Sequence, residues 1–255
     1  MASKLMRSLI YLAATITFGS LFYIVGFILA KGIPYITPEM FAWKYTTDNV
    51  SLMPSLITTF IVVGMTLLIA TPLGVFTGFY LVEYAQKGNK VVEVIRIATD
   101  TLAAVPSIVY GLFGMLFFVT FLNFQYSVLA GVLTSVIMVL PLIIRSTEEA
   151  LLSVNDSLRE ASFALGAGKL RTIFRVILPV SMPGILSGVI LASGRVVGET
   201  AALLYTLGSS TNLPDSLFSS GRTLALHMYV LSSEGMHVNE SYATGVVLIV
   251  FVLMI

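Results

Sequence analysis

Long apolar runs joined by short polar connectors dominate the chain: about Ser8 to Ala30, Ser55 to Val82, Thr101 to Leu122, Tyr126 to Ile144, Val180 to Leu207, and Tyr242 to Ile255. A helix needs about 20 apolar residues to cross roughly 30 Å of hydrocarbon, and the first five runs meet that length. None alternates strictly over about ten residues, as a membrane barrel strand would. The pattern predicts an all-α, polytopic membrane helix bundle with six transmembrane helices, in a single domain spanning 1–255. Lys4 and Arg7 precede an apolar run longer than the 7–15 residues of a signal-peptide core, so the first run is read as a retained span. The last run would give roughly 21 Å of helix, short for a crossing, and the natural chain is expected to continue beyond Ile255.

Composition agrees with the pattern. Hydrophobic residues make up 57% of the chain and charged residues 11%, against about 25% charged in soluble domains. There is no Cys, which removes disulfides, thiolate catalysis and Cys-based metal sites, and the net charge of +1 gives no reason to expect nucleic acid as a partner. The distribution of cations carries more information. Lys4, Arg7, Lys87, Lys90, Arg96, Arg145, Arg159, Lys169, Arg171 and Arg175 fall on one side, whereas Lys31, Lys44 and Arg222 fall on the other. The positive-inside rule then places both termini in the cytoplasm. The outer side would hold the segment from Lys31 to Pro54, a turn near Asn123, and a loop from Gly208 to Ser241, read either as a polar connector or as containing a short helix on the membrane surface over LALHMYVL. Pro72, Gly74, Pro106, Pro141, Pro183 and Gly184 mark kinks and close helix contacts within the bundle.

Arg195 and Glu199 stand inside the fifth run, LSGVILASGRVVGETAALLYTL. At i, i+4 on one continuous helix they share a face, and neither charge belongs in lipid, where insertion costs roughly 2.5–3.5 kcal/mol. Two readings stand. The pair is an ion lock within the bundle, or it is a charged element of a solute pathway in which the Arg fork suits an oxyanion. His227 and His237 read as surface histidines rather than metal ligands. There is no Ser, His and Asp arrangement for hydrolysis, and GKLRT at Gly168 lacks the pattern of a phosphate loop.

The polar segment between the fourth and fifth runs, a loop over about 148–178, contains EASFALGAGKLRTIFRVILP from Glu160 to Pro179. A short helix over Leu158 to Phe163, a bend at Gly166 and Gly168, and a second helix over Leu170 to Ile177 before Pro179 opens the fifth span would make a compact knob. On residue chemistry alone, an amphipathic interfacial loop is the alternative. The segment resembles the EAA loop of ABC importer permeases: Glu160, Ala161 and Ser162, then Gly166, then Val176, Leu178 and Pro179, with Ser162 and Val176 departing from the usual Ala and Ile. The resemblance implies a type I ABC importer permease fold. It also implies that Glu160, Ala161, Gly166, Leu178 and Pro179 belong to a coupling element docking on a separate ATPase.

A narrower resemblance rests on VPSIVYGLFG from Val105, LPLIIRSTEEAL from Leu140 and GRVVGETAALLYT from Gly194. These are similar to the permeases of the bacterial phosphate-specific importer, on its A-type (PstA) side, although Ala202 stands where Pro is frequent. That resemblance implies translocation of inorganic phosphate by alternating access, with Arg195 and Glu199 on the pathway and no catalysis on this chain. The implied partners are a C-type permease, two copies of an ATP-binding subunit that carries ATP and Mg, a periplasmic or lipid-anchored phosphate-binding protein, and the lipid of the cell (inner) membrane. The rival readings are a permease for another oxyanion such as molybdate or sulfate, and an ATP-independent channel or secondary transporter.

Overall fold

The computed structural model describes residues 2–85 and 88–255, with side chains from residue 6 onward. Lys87 and the side chain of Lys4, both counted above among the inner cations, lie outside the described residues. Every regular element among the described residues is helical. The chain divides into two compact units, one formed by residues 1–53 with His227–Met254 and the other by Pro54–Leu226.

In the first unit, α1 (Ala2–Gly32) runs beside α11 (Val238–Met254). Gly32 makes the approach possible, since a Cβ there would stand 2.4 Å from the Tyr242 carbonyl oxygen. Phe27 meets the Tyr242 ring edge-on at 5.9 Å. Two short 3-10 turns, Ile33–Tyr35 and Pro38–Phe41, follow α1, and the Leu52 amide closes this segment onto the Met40 carbonyl at 2.8 Å. α10 (Leu224–Glu234) enters the unit at His227. Leu224, Leu226, His227 and Leu231 are all fully buried. The short helix expected over LALHMYVL is present, with its first turns buried, and His227 is not a surface residue: it stands edge-on to Tyr45 at 6.1 Å. Its neighbours explain the difference, because a single imidazole within LALHMYVL does not outweigh a run that is apolar on every face. His237 is partly exposed, with Glu240 3.8 Å away.

The second unit is built around α5 (Val128–Leu152), the most deeply buried of the long helices. α2 (Met53–Phe79) ends in a π turn, Tyr80–Tyr84, and lies along α5 where Gly74 meets Ile143 and Gly78 meets Thr147. On another face of α5 lies a rod of 29 residues, Lys169–Val197, formed by α7 (Lys169–Thr172), a π turn (Ile173–Ile177) and α8 (Leu178–Val197). A Cβ on Gly188 would stand 2.3 Å from Ser146 Cβ, and one on Gly184 2.7 Å from Ala150 Cβ. This is the small-residue packing by which membrane helices come close without a hydrophobic driving force.

Among the described residues, four helices are long and apolar enough to cross a membrane, or five if a bent pair counts as one; α11, at 17 residues, is shorter. The bent pair corrects the expected third span. α3 (Lys90–Ala103) and the helix from Ser107 to Phe121 meet at 103°, so residues 101–122 are not one continuous helix. Val105 precedes Pro106, and the proline ring disfavours the helical region for the residue before it. The new helix, α4 (Ser107–Gly114) followed by a π turn (Met115–Phe121), starts just after that proline.

The polar stretch after α9 (Ala201–Thr206) is not a loose connector. The Ser219 and Leu217 carbonyls accept the first amides of α5, Val128 at 3.0 Å and Leu129 at 2.8 Å. Arg222 is buried and donates through Nε and Nη2 to the Ser209 carbonyl at 3.1 and 2.7 Å. The bonds to Val128 and Leu129 satisfy helix-end amides that have no partner within their own helix.

Candidate functional site

Two places in the second unit concentrate polar groups. The first is an interruption in the fifth apolar run. α8 stops at Val197; Gly198 caps it, and α9 begins only at Ala201. Arg195 lies in the last turn of α8 and is partly buried, while Glu199 is buried and lies outside any helix. The two do not share one helix face, and among the described residues no ion pair joins them. Glu199 Oε1 instead accepts the Ala202 amide at 2.9 Å. The cause is local. A helix that breaks inside a bundle exposes free amides at the new N-terminus, and the Glu199 carboxylate turns to satisfy one of them rather than to meet Arg195.

The depth of the break follows from packing. Gly184 faces Ala150 and Gly188 faces Ser146; continuing that antiparallel register brings Arg195 level with about Val139, near the middle of α5. α9 then continues toward the start of α5, with Leu203 and Leu207 against Gly131, and the Thr206 carbonyl accepting the Ser127 amide at 3.0 Å. α4 closes the other side: a Cβ on Gly111 would stand 2.8 Å from Ala202 Cα, and Gly114 lies against Thr134 and Thr206. Tyr110, which sequence reasoning passed over, is buried there. Its hydroxyl donates to the Leu102 carbonyl at 2.7 Å. The structure thus gathers VPSIVYGLFG and GRVVGETAALLYT around one discontinuous helix. Non-helical backbone at such a depth is tolerated where it is buried in protein or lines a cavity.

The polar residues of LPLIIRSTEEAL serve a different purpose. Arg145 pairs with Asp100 and, at 3.1 Å, with Glu149, and Arg96 lies 2.6 Å from Glu148. The Arg145–Asp100 and Arg96–Glu148 pairs join α3 to the end of α5 that leads into the second polar centre.

That centre is the knob. α6 (Asp156–Ala164) is capped by Asn155, whose side chain accepts the Ser157 amide at 3.0 Å. It ends where Gly166 takes φ +78. The Gly166 amide bonds the Phe163 carbonyl at 2.9 Å and the Ala167 amide the Ser162 carbonyl at 3.1 Å. That bond pair is a Schellman ending, with glycine at the left-handed position. Gly168 then caps α7. The second knob helix is not separate from the fifth span, as expected, but is its first turns; Leu178 and Pro179 lie within the 29-residue rod. Proline at the start of α8 is tolerated because the π turn has already displaced the ladder that Pro179 could not join.

Ser162 and Thr172 share a hydroxyl hydrogen bond of 2.8 Å across the knob. Glu160 and Ala161 are exposed, and Glu160 takes part in no hydrogen bond or ion pair among the described residues. Arg159, the residue before the EAA pattern, is deeply engaged. It donates to Glu83 Oε1 through Nε and Nη2 at 3.1 and 2.9 Å, to the Leu151 and Val154 carbonyls at 3.0 Å each, and to Asp156 at 3.0 Å. Sequence reasoning missed Glu83 as well. Its signal was present, as the only carboxylate between Asp48 and Glu93, at the end of a long apolar run.

A family model described as "Binding-protein-dependent transport system inner membrane component" matches residues 70–255. The chain belongs to that family. The match takes in the discontinuous helix and the knob. Over 248 residues the chain is 35% identical to the probable ABC transporter permease protein YqgI of Bacillus subtilis, covering 91% of this chain and 84% of that protein. It is 35% identical over 206 residues to the phosphate transport system permease protein PstA of Haemophilus influenzae, covering 80% and 72%. It is 43% identical over 160 residues to PstA 1 of Mycobacterium tuberculosis, a match spanning 63% of this chain and about half, 52%, of that one. Among solved structures, a bacterial ABC transporter involved in alginate import aligns with TM-score 0.66 at 14% identity over 99% of this chain and 95% of that chain. The MetNI methionine ABC transporter aligns with TM-score 0.59 at 20% identity, over 80% and 88%. At those identities the likeness is one of fold. The chain has the helical fold of ABC importer permeases and is a membrane component of a transport system.

Proposed function

We propose that this chain is a permease subunit of an ATP-driven importer of inorganic phosphate, forming the translocation pathway with a second, related permease. The observation that carries the reading is the knob, an EAA-type helix, glycine turn and helix that continues directly into a membrane span. Relatives named as phosphate transport system permeases, at 35–43% identity, support the substrate.

In this reading two ATP-binding subunits, carrying ATP and Mg, grip the knobs from the cytoplasm, where both termini also lie. A binding protein, periplasmic or lipid-anchored, delivers phosphate to the other side. The rod from Lys169 carries displacement of the knob toward the break at Gly198, about half-way across α5. Arg195, released from any ion pair with Glu199, offers its fork to the passing anion. A single partly buried guanidinium makes a weak, transient site, as conduction requires, because a tight one would retain the ion. Glu199 holds the start of α9 and so the shape of the break.

Uptake of phosphate in cells lacking their own high-affinity system, with partner permease, ATPase and binding protein supplied, tests the reading. Arg195→Gln is expected to abolish uptake while the complex still assembles. Normal uptake in that variant would return Arg195 to a structural role. Uptake of molybdate or sulfate in place of phosphate would reassign the substrate, and flux without the ATPase would overturn the importer reading.

A further inference from the structure

Of the spans packed on α5, α2 has no short covalent connection to the knob, since Glu83 and Arg159 are 76 residues apart. α5 enters the knob through Val154 and Asn155, and α8 leaves it as one rod. Yet the Arg159 guanidinium stands where α2, α5 and α6 converge. Its five hydrogen bonds reach Glu83 at the end of α2, the Leu151 carbonyl in the last turn of α5, the Val154 carbonyl just past it, and Asp156 in the first turn of α6. The Arg159 and Glu83 side chains are only 15% and 10% exposed, so water does not screen this pair as it would a surface bridge. A planar fork fixed by several acceptors resists rotation in a way that a lysine would not.

Two further features attach α2 at the same place. Lys169, first residue of the rod, holds its ammonium 4.5 Å from the centre of the Tyr84 ring. Beneath both ties, Phe79 of α2 packs in one apolar cluster with Leu151, Val154, Ile173 and Ile177. Both π turns of this region, Tyr80–Tyr84 and Ile173–Ile177, border that cluster. Such turns, inserted in α-helices, are frequent at functional sites.

We propose that Arg159 is the positioning residue that couples the knob to α2, passing movement of α6 through Glu83 into a span with no short covalent connection to the loop, with Lys169 on Tyr84 as the second tie. The inference rests on the reading that the knob docks an ATPase. Without the Glu83 link the knob still docks, but α2 lags behind α5 and α8 and the pathway fails to open fully.

The test is the complete transporter in proteoliposomes, scoring phosphate taken up per ATP hydrolysed, with ATPase copurification as a separate readout. Glu83→Gln keeps an acceptor oxygen but loses the charge, and Glu83→Ala loses both. The expected result is wild-type copurification with uptake per ATP lowered about threefold in the first variant and at least tenfold in the second, and a further loss when Glu83→Ala is combined with Tyr84→Ala. Uptake per ATP within twofold of the unaltered chain in Glu83→Ala would overturn the proposal. A loss of uptake matched by an equal loss of assembled complex in both Glu83→Gln and Glu83→Ala would also overturn it, since it would assign the pair to folding alone. Glu160→Arg, measured in parallel, separates the two readings: retained ATPase and normal uptake there would sink the docking reading itself, whatever the Glu83 variants do.

Discussion

Replacing Ser162 by Ala restores the residue usual in EAA loops, yet it should loosen this knob. The Ser162 hydroxyl lies 2.8 Å from that of Thr172, and Thr172 is only 1% exposed. Removing one partner leaves the other buried without a hydrogen bond, which costs about 1–3 kcal/mol. The low end applies if the Thr172 hydroxyl rotates onto the Gly168 carbonyl one turn back. At about 1.4 kcal/mol per factor of ten, the turn amides of Leu165, Gly166 and Ala167 should exchange with deuterium roughly 5- to 150-fold faster. Adding Thr172→Val removes the stranded hydroxyl, and exchange should return most of the way toward the unaltered chain, because replacing both partners with apolar groups of similar shape is nearly neutral. Amide exchange resolved by mass spectrometry over 156–172 in the purified complex reads all three variants. Unchanged exchange in Ser162→Ala, or a double variant worse than either single one, would show that the hydroxyl pair does not hold the knob together.

Other expectations follow from close contacts and caps. Gly188→Leu should prevent stable assembly, because even a Cβ there falls 2.3 Å from Ser146 Cβ; overpacking costs about 1–3 kcal/mol per site. Gly64→Ala, with open space around it, should leave the melting temperature in detergent unchanged or slightly raised. Gly166→Ala places a Cβ at φ +78, a cost of about 1–2 kcal/mol, visible as a lower melting temperature and reduced ATPase copurification. Glu199→Gln should keep the bond to the Ala202 amide and the stability that goes with it, whereas Glu199→Ala should lose about 0.5–2 kcal/mol. Equal stability in those two variants would mean that the cap contributes nothing.

The elements that were legible from sequence share one property: a single local signal decides them. α1, α2 and α5 are long apolar runs, and Gly166 sits where a glycine-requiring turn must fall between two short amphipathic pieces. What escaped depends on neighbours. Arg195 and Glu199 have ideal helical spacing, but Gly198 and the demand of the Ala202 amide end the helix between them. His227 looked like a polar loop residue because its burial comes from tertiary packing. Pro106 was visible, yet whether a proline kinks a span or ends it depends on whether other helices can satisfy the freed backbone groups. Arg159 and Glu83 are unremarkable in sequence because their pairing closes 76 residues of chain.

In the proposed mechanism the knob couples this membrane chain to an ATPase that drives phosphate entry. The most direct measurement is phosphate uptake together with ATPase copurification for the unaltered chain and Glu160→Arg, with partner permease, ATPase and binding protein supplied. The unaltered chain is expected to restore uptake and retain the ATPase, and Glu160→Arg, with its exposed carboxylate reversed in charge, to lose both. An unaltered chain that assembles with its partner permease but neither retains an ATPase nor takes up phosphate would contradict that mechanism.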